Sequence, residues 1–316
     1  MVFTAKRAVL LCFGFGYTLR AVLARLPSSL DCVVACRSYE SLAGLHHRVR
    51  WQPFAEVPDT VLARASHILI SVPPVPVDKG SCERVWALYG ERLRREAKAL
   101  RWLGYVSSTS VYGDYDGAWV DEDSALRGTD AVARRRQQAE RHWLDVIRDK
   151  AIQGHIFRLP GIYGRGRCVF DGLVQGRSRH IIKEGHVFSR IHVEDAAQGI
   201  HLAMMKDTGH TVYNVCDDEP AASWQVLRYG CSLLGVEPPP VEMWREGLLS
   251  EGRARFYQAN RRVSNRLIKK ALGFKPRYPT YRDGLSALYH SVYRDVANNR
   301  SNGQEKKDPT SGGRRL

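Results

Sequence analysis

Two glycines, Gly14 and Gly16, stand directly after the apolar run AVLLCF (8–13) and directly before an amphipathic stretch. Glycine at 14 permits a tight turn, and glycine at 16 lets backbone N–H groups come close to an anion. A Gly-x-Gly turn between strand and helix suits a pyrophosphate, whose charge then sits at the positive end of the helix, with Tyr17 and Thr18 in its first turn. The third glycine of the usual Gly-x-Gly-x-x-Gly pattern is replaced by Leu19, which predicts looser or more tilted packing of helix on strand. Taken alone, this short pattern also fits a plain strand-to-helix turn. Twenty-one residues past Gly16, at the end of the next apolar run, comes Arg37 and then Ser38. An acidic residue there would accept from a ribose 2′-hydroxyl, as for NAD, whereas an arginine accommodates the 2′-phosphate of NADP. The residue types favour NADP, with NAD left open and Ser38 as a weaker contact; the alternative is a surface arginine in a basic protein.

The elements that must position these residues follow from periodicity. Short apolar runs at 8–13, 32–36, 67–72, 103–108 and 155–159 alternate with amphipathic stretches, which predicts a parallel sheet covered by helices on both faces. Leu19, Val22, Leu23 and Leu26 recur at helical spacing between the first two runs and predict one apolar stripe against the sheet. Ala139, Trp143, Val146 and Ile147 predict another, on a helix whose opposite, solvated face is expected to carry Arg134, Arg135, Glu140 and Arg141. Beyond Gly161 the chain turns to glycine-rich loops, short strands and helices, and Gly235 and Gly273 sit where left-handed residues close helices. The segment 296–316 is polar and basic and reads as a disordered tail.

Composition bounds the possibilities. The chain has 316 residues, 44% hydrophobic and 26% charged, enough for a large buried core. A net charge of +15 favours anionic ligands without choosing among them. Seven cysteines with no Cys-x-x-Cys pair read as reduced thiols in a cytoplasmic setting. Adjacent His46 and His47 point apart and do not form a metal pair, so no metal is expected. Lys6 and Arg7 before an apolar run imitate a secretory signal, but the run breaks at Gly14 and the fold is expected to begin by Ala8. No window approaches the roughly 20 apolar residues of a membrane helix.

Six ordered segments carry a family resemblance: CFGFGYT at the glycine turn, VSSTSVYGDYDGAWVDE (106–122), RLPGIYGRGR (158–167), RIHVEDAAQGI (190–200), YNVCDDEP (213–220) and RRVSNRLIKKALGFKPRYPTYRDGL (261–285). From about Ala8 to about Leu288 the chain resembles the extended short-chain dehydrogenase/reductase superfamily, in particular its atypical, YeeZ-like NAD-dependent epimerases/dehydratases. The resemblance implies a Rossmann-type doubly wound α/β sheet with a smaller C-terminal substrate-binding region. Residues 1–160 would form the dinucleotide-binding core, and 161–295 the substrate region with returning core elements. It implies that Ser108 hydrogen-bonds the reacting oxygen, that Ser107 and Ser110 line the same site, and that Pro160, Gly161 and Ile162 pack against the nicotinamide. It gives His192 and Asp195 a structural role. The resemblance also exposes a departure: counting back from Glu140, the positions of the superfamily's Tyr-x-x-x-Lys pair hold Val132 and Arg136. Valine exchanges no proton, and Arg136 supplies charge and hydrogen bonds but no proton at neutral pH. Tyr112 is the nearest substitute acid, unless its ring merely packs under the helix.

Three functions remain. The first is an NADP-dependent oxidoreductase or epimerase acting on a small hydroxyl- or carbonyl-bearing, sugar-like substrate, with a homodimer left open and no membrane partner. The second is a dinucleotide-binding structural or sensor protein. The third is a nucleic-acid or polyanion binder, whose best case is Arg253, Arg255, Arg261, Arg262, Arg266, Lys269 and Lys270. It is disfavoured because aromatic residues suited to base stacking are not interleaved among them.

Overall fold

A computed structural model describes residues 8–27, 30–42, 49–75 and 83–294. The tail at 296–316, His46, His47, Lys6 and Arg7 lie outside the described residues.

The first half of the chain alternates strands and helices: β1 (Val9–Phe13), α1 (Tyr17–Leu23), β2 (Asp31–Cys36), β3 (Val49–Pro53), α2 (Asp59–Arg64), β4 (His67–Ile70), α3 (Arg84–Glu96), β5 (Trp102–Ser108), β6 (Trp119–Val120), α4 (Ala131–Asp149) and β7 (Gln153–Leu159). The second half adds β8 (Gly161–Tyr163), α5 (Val169–Val174), β9 (His180–Ile182), β10 (Arg190–His192), α6 (Val193–Met205), β11 (Val212–Asn214), α7 (Ser223–Leu234), β12 (Val241–Met243), α8 (Glu251–Gln258), β13 (Arg262–Val263), α9 (Arg266–Leu272) and α10 (Tyr281–Leu288). Seven strands form one sheet in the order β11-β7-β5-β4-β1-β2-β3, and every pairing in it is parallel. This is a Rossmann-type doubly wound α/β fold, and its strand order reverses between β1 and β4.

Why β1 is apolar throughout follows from its place in the middle of that sheet. Successive side chains point to opposite faces, and both faces are covered. Leu10 and Cys12 join the core under α1, α6 and α9, while Val9, Leu11 and Phe13 join the core under α2, α3 and α4. The expected stripe of α1 is buried at Leu19, Val22 and Leu23, and Leu26 packs against the same core from the turn beyond the helix. The stripe of α4 is buried at Ala139, Trp143, Val146 and Ile147. Gly235 and Gly273 close α7 and α9 in the left-handed conformation, at φ 65° and 69°.

The solvated face expected of α4 needs one correction. Arg134 and Arg141 are exposed, but Glu140 is buried and paired with Arg158 of β7. Glu140 precedes Trp143 by three residues and Ile147 by seven, so it shares their inward face.

His155 of β7 sits deep in the sheet, where the Trp102 indole N–H donates to its Nδ1 at 2.9 Å. Burial pushes its pKa from the usual 6.5 down to about 4. A depressed value means that the stabilising contribution is present above about pH 6.5 and is lost as pH falls through about 4. Denaturant titrations from pH 7 to pH 4 are expected to show His155→Gln, which keeps an acceptor but no titration, losing less stability than the parent. The difference should be on the order of 2–3 kcal/mol. Parallel curves for the two proteins would show that His155 protonation does not limit acid stability.

Candidate functional site

The chain leaves β1 at Phe13 and turns at Gly14, whose φ is +90°. The Gly14 N–H donates to the Ala35 carbonyl at 2.9 Å, and an added Cβ would lie 2.9 Å from Val72 Cγ2. Any side chain there would be strained and would collide with the segment after β4. Gly16 differs: its backbone is extended, it caps α1, and a Cβ placed on it would meet nothing within 4 Å. No side chain caps this helix. Its first N–H groups are left without a side-chain acceptor, and the space beside Gly16 is open.

That space is a cleft of about 840 Å³ along the C-terminal ends of the strands, beside the point where strand order reverses. Gly16, Tyr17, Thr18 and Leu19 line one bank, and Pro160, Gly161 and Ile162 line the other. Ser107, Ser108 and Ser110 from the end of β5 and the turn after it lie between, with Val132 and Arg136 of α4. Most residues expected at the site thus meet in one cleft.

Their hydrogen bonds separate holding from offering. Ser107 donates to Glu140 Oε1, so its hydroxyl is tied to the buried network below. Ser108 Oγ accepts from the Ser110 N–H at 3.1 Å, whereas Ser110 Oγ is buried with no protein partner. An orphaned hydroxyl in a cleft wall is what a bound ligand would satisfy. Arg136 donates from NH1 to the Val106 carbonyl at 2.7 Å, which fixes its guanidinium beside the three serines. Tyr17 donates its hydroxyl to the Arg165 carbonyl at 3.0 Å and so joins α1 to the loop after β8; burial pushes its pKa up to about 12.

Four expected site residues fall outside the cleft lining: Gly14, at the turn that precedes it, and Tyr112, Arg37 and Ser38. Tyr112 is fully buried; its hydroxyl donates to Asn214 Oδ1 at 2.7 Å and accepts from Arg158 NH1 at 3.0 Å. Burial pushes its pKa up to about 12. The ring packs under α4, and its hydroxyl does not reach the cleft. This corrects the expectation of Tyr112 as substitute acid. Arg37 and Ser38 are exposed just past β2, and Ser38 donates to Glu40.

Other residues enter that sequence reasoning missed. Asp130 caps α4 through Oδ1, accepting from Val132 and Ala133 N–H, and lines the cleft. Arg167, Arg190 and Arg261 line it as well. Arg190 lies within the RIHVED segment, two residues before His192 and five before Asp195. Those two do build structure: His192 Nδ1 accepts from the Glu194 N–H, and the buried Asp195 carboxylate accepts from the Arg277 and Tyr278 N–H groups at 2.7 and 2.9 Å. Among the described residues, no group of three metal-ligating side chains comes together, and no helix is long and apolar enough to cross a membrane.

No family model matches the chain. A functionally unknown conserved protein from Silicibacter pomeroyi DSS is 40% identical, with a TM-score of 0.81 over 90% of this chain and 98% of that one. A short-chain dehydrogenase/reductase superfamily protein from Agrobacterium tumefaciens, solved with bound NAD, is 17% identical with a TM-score of 0.67 over 92% and 99% of the two chains, a likeness of fold. A 3-diazoavenalumate denitrifying reductase from Streptomyces sp. is 30% identical over 181 residues. That match spans 52% of this chain and 58% of the reductase, less than two thirds of its length. The YeeZ-like subdivision rests on the sequence segments alone. With the sheet order, the glycine turn and the cleft in agreement, the chain belongs to the family of the Silicibacter pomeroyi protein and shares the fold of short-chain dehydrogenase/reductase superfamily structures.

Proposed function

We infer that the protein binds a nicotinamide dinucleotide across the strand ends, NADP(H) in preference to NAD(H). It acts as an oxidoreductase of the epimerase/dehydratase type on a small hydroxyl- or carbonyl-bearing substrate. The observation that carries this reading is the uncapped start of α1 beside Gly16, whose missing side chain leaves the cleft open to a pyrophosphate. The orphaned Ser110 hydroxyl and the bank formed by Pro160, Gly161 and Ile162 fit the same ligand. When bound, the nicotinamide would supply or accept hydride. The protein's part is to position and to screen. Ser108 stands ready to hydrogen-bond a substrate oxygen, and Arg136 adds positive charge beside it without a proton to give. A reducing, cytoplasmic setting goes with this reading, since the seven cysteines are scattered without a Cys-x-x-Cys pair.

A second reading, dinucleotide binding with little turnover, is favoured by one observation. Val132 and Arg136 both line the cleft where the Tyr-Lys pair would stand, and Tyr112 is turned away. General acid/base catalysis contributes about 10²–10⁴-fold, so plain carbonyl reduction should be slow by that factor. Hydride transfer that expels a leaving group asks no such proton, and the Streptomyces relative is named a denitrifying reductase of a diazo compound. The polyanion reading weakens because its basic residues diverge: Lys269 pairs with Asp218, Arg262 donates to the Gly117 carbonyl, and Arg261 enters the cleft.

The test is a pair of titrations, NADPH and NADH, on the parent and on Arg37→Asp. A charge-assisted hydrogen bond to the 2′-phosphate contributes about 1.5–3 kcal/mol, so the parent is expected to prefer NADPH by roughly ten- to a hundred-fold. Arg37→Asp should reverse that preference, because its carboxylate repels the phosphate and accepts from the free hydroxyl of NAD. Equal affinities in the parent would remove the NADP assignment; a preference untouched by the substitution would place the 2′-phosphate elsewhere.

A further inference from the structure

Two arginines of the cleft, Arg190 and Arg261, are held without the counter-ion that the buried Arg158 has. Arg158 shows the usual solution: its Nε and NH2 meet Glu140, and its NH1 meets Tyr112. Arg190 has no such counter-ion. Its NH2 donates to the Ala221 carbonyl at 3.1 Å and its guanidinium lies over the Tyr281 ring at 5.7 Å, while NH1 is buried with no hydrogen-bond partner. Arg261 repeats the pattern: NH1 donates to the Gly113 carbonyl at 2.7 Å, and Nε is buried without a partner. Among the described residues neither makes an ion pair. The carboxylates that act on them electrostatically do not fill the role, and Glu219, one of those acting on Arg190, is paired with Arg282. Asp217 influences Arg190 electrostatically from beyond ion-pair distance, and burial raises its own pKa toward the neutral form. Asp114 and Asp130 act on Arg261, but Asp114 accepts from the Asn260 N–H and Asp130 caps α4.

A guanidinium cannot shed its proton to escape burial, so an unpaired N–H in a cleft wall keeps its cost until an acceptor arrives. Both arginines belong to the C-terminal part of the chain, and their strands are tied together where the Val263 N–H donates to Ser189 Oγ at 3.0 Å. Phe188, Val226, Tyr281 and Leu285 supply apolar walls around them in the same cleft.

We propose that the substrate carries an oxyanion, a carboxylate in first place, held between Arg190 and Arg261 with an apolar body against Phe188 and Tyr281. This rests on the reading of the cleft as the site of reaction and adds the class of molecule that it accepts. A carboxylate takes two parallel N–H bonds from one guanidinium, and its single charge matches sites whose remaining donors are few. Phosphate shares the oxyanion chemistry, and the probes below separate the two.

The test is calorimetry on the full chain with trans-cinnamate, cinnamamide and phenyl phosphate, each with and without NADP⁺, and with NADPH titrated separately. Cinnamate is expected to bind at least about tenfold more tightly than its neutral amide. Arg190→Gln and Arg261→Gln should each remove that advantage while leaving NADPH and cinnamamide affinities within about twofold. Equal binding of cinnamate and cinnamamide by the parent, a result that needs no variant, would overturn the proposal. So would unchanged discrimination in both variants, or failure of either anion to bind below about 10 mM. Tighter binding of phenyl phosphate than of cinnamate would overturn the carboxylate assignment. If NADPH fails to bind while anion discrimination persists, the cofactor reading falls and the anion site stands.

Discussion

Replacing Glu140 by alanine is expected to lower the free energy of unfolding by about 3–5 kcal/mol. Glu140 and Arg158 are 2% and 5% exposed, and the pair is bonded at 2.9 Å from NH2 to Oε2. Around it, Ser107 donates to Oε1, and Tyr112 links Arg158 to Asn214. Removing the carboxylate leaves a guanidinium that cannot neutralise itself, in a place that water does not reach. The cost lies mainly in that stranded charge and much less in the net worth of the pair, since buried pairs replaced by apolar residues of similar volume are often neutral or better. The double variant Glu140→Leu, Arg158→Met is therefore expected to recover most of the loss. Urea denaturation at neutral pH measures both. A loss below about 1 kcal/mol for Glu140→Ala would mean that water or a neighbour solvates Arg158.

Gly16→Asp is expected to weaken NADPH binding by roughly 10²–10³-fold while leaving the melting temperature near that of the parent. The fold tolerates a side chain here, because the backbone at φ −96° is unstrained and a Cβ meets nothing within 4 Å. What the side chain would meet is the ligand. Two like charges about 4 Å apart near a protein surface repel by about 4 kcal/mol, and solvent at the exposed turn reduces this somewhat. Gly16→Ala adds bulk alone and should fall between parent and Gly16→Asp. Calorimetric titration with NADPH, with thermal melts as control, separates binding from folding. Undiminished affinity in Gly16→Asp would show that the pyrophosphate does not lie at this turn.

What was legible in the sequence was whatever depends on near neighbours. The strands at 8–13 and 32–36 announce themselves because both sheet faces are covered and every residue there is apolar, whereas 155–159 also buries His155 and Arg158, each with a side-chain partner. β3, by contrast, is the sheet edge: Arg50 is exposed and its neighbours are half-buried, so VRWQP carries no strand pattern. The three-residue strands β8 to β12 are too short for periodicity to speak. Gly14, Gly16 and the serines after β5 could be found because turn chemistry is local. The missed or misread residues owe their roles to distant partners. Arg190 is fixed by Ala221 and Arg261 by Gly113, 31 and 148 residues away. Tyr112 is turned from the cleft by Asn214, 102 residues on. Glu140 is the exception, for its spacing from Trp143 already put it on the buried face, and the string of charges around it masked that signal.

The hydrogen bond from Tyr17 to the Arg165 carbonyl crosses between the glycine turn and the loop that also carries Arg167, whose guanidinium lies 5.7 Å over the Tyr17 ring. Gly164 completes the contact, since a Cβ there would fall 2.5 Å from the Tyr17 hydroxyl. One side chain thus ties the start of α1 to the loop after β8. A ligand at one end that favours a particular setting of this joint changes the affinity at the other, and thermodynamic linkage makes the factor the same in both directions. Tyr17→Phe keeps the ring and cuts the tether, and is expected to reduce that coupling, which NADPH titrations with and without a bound anion would measure.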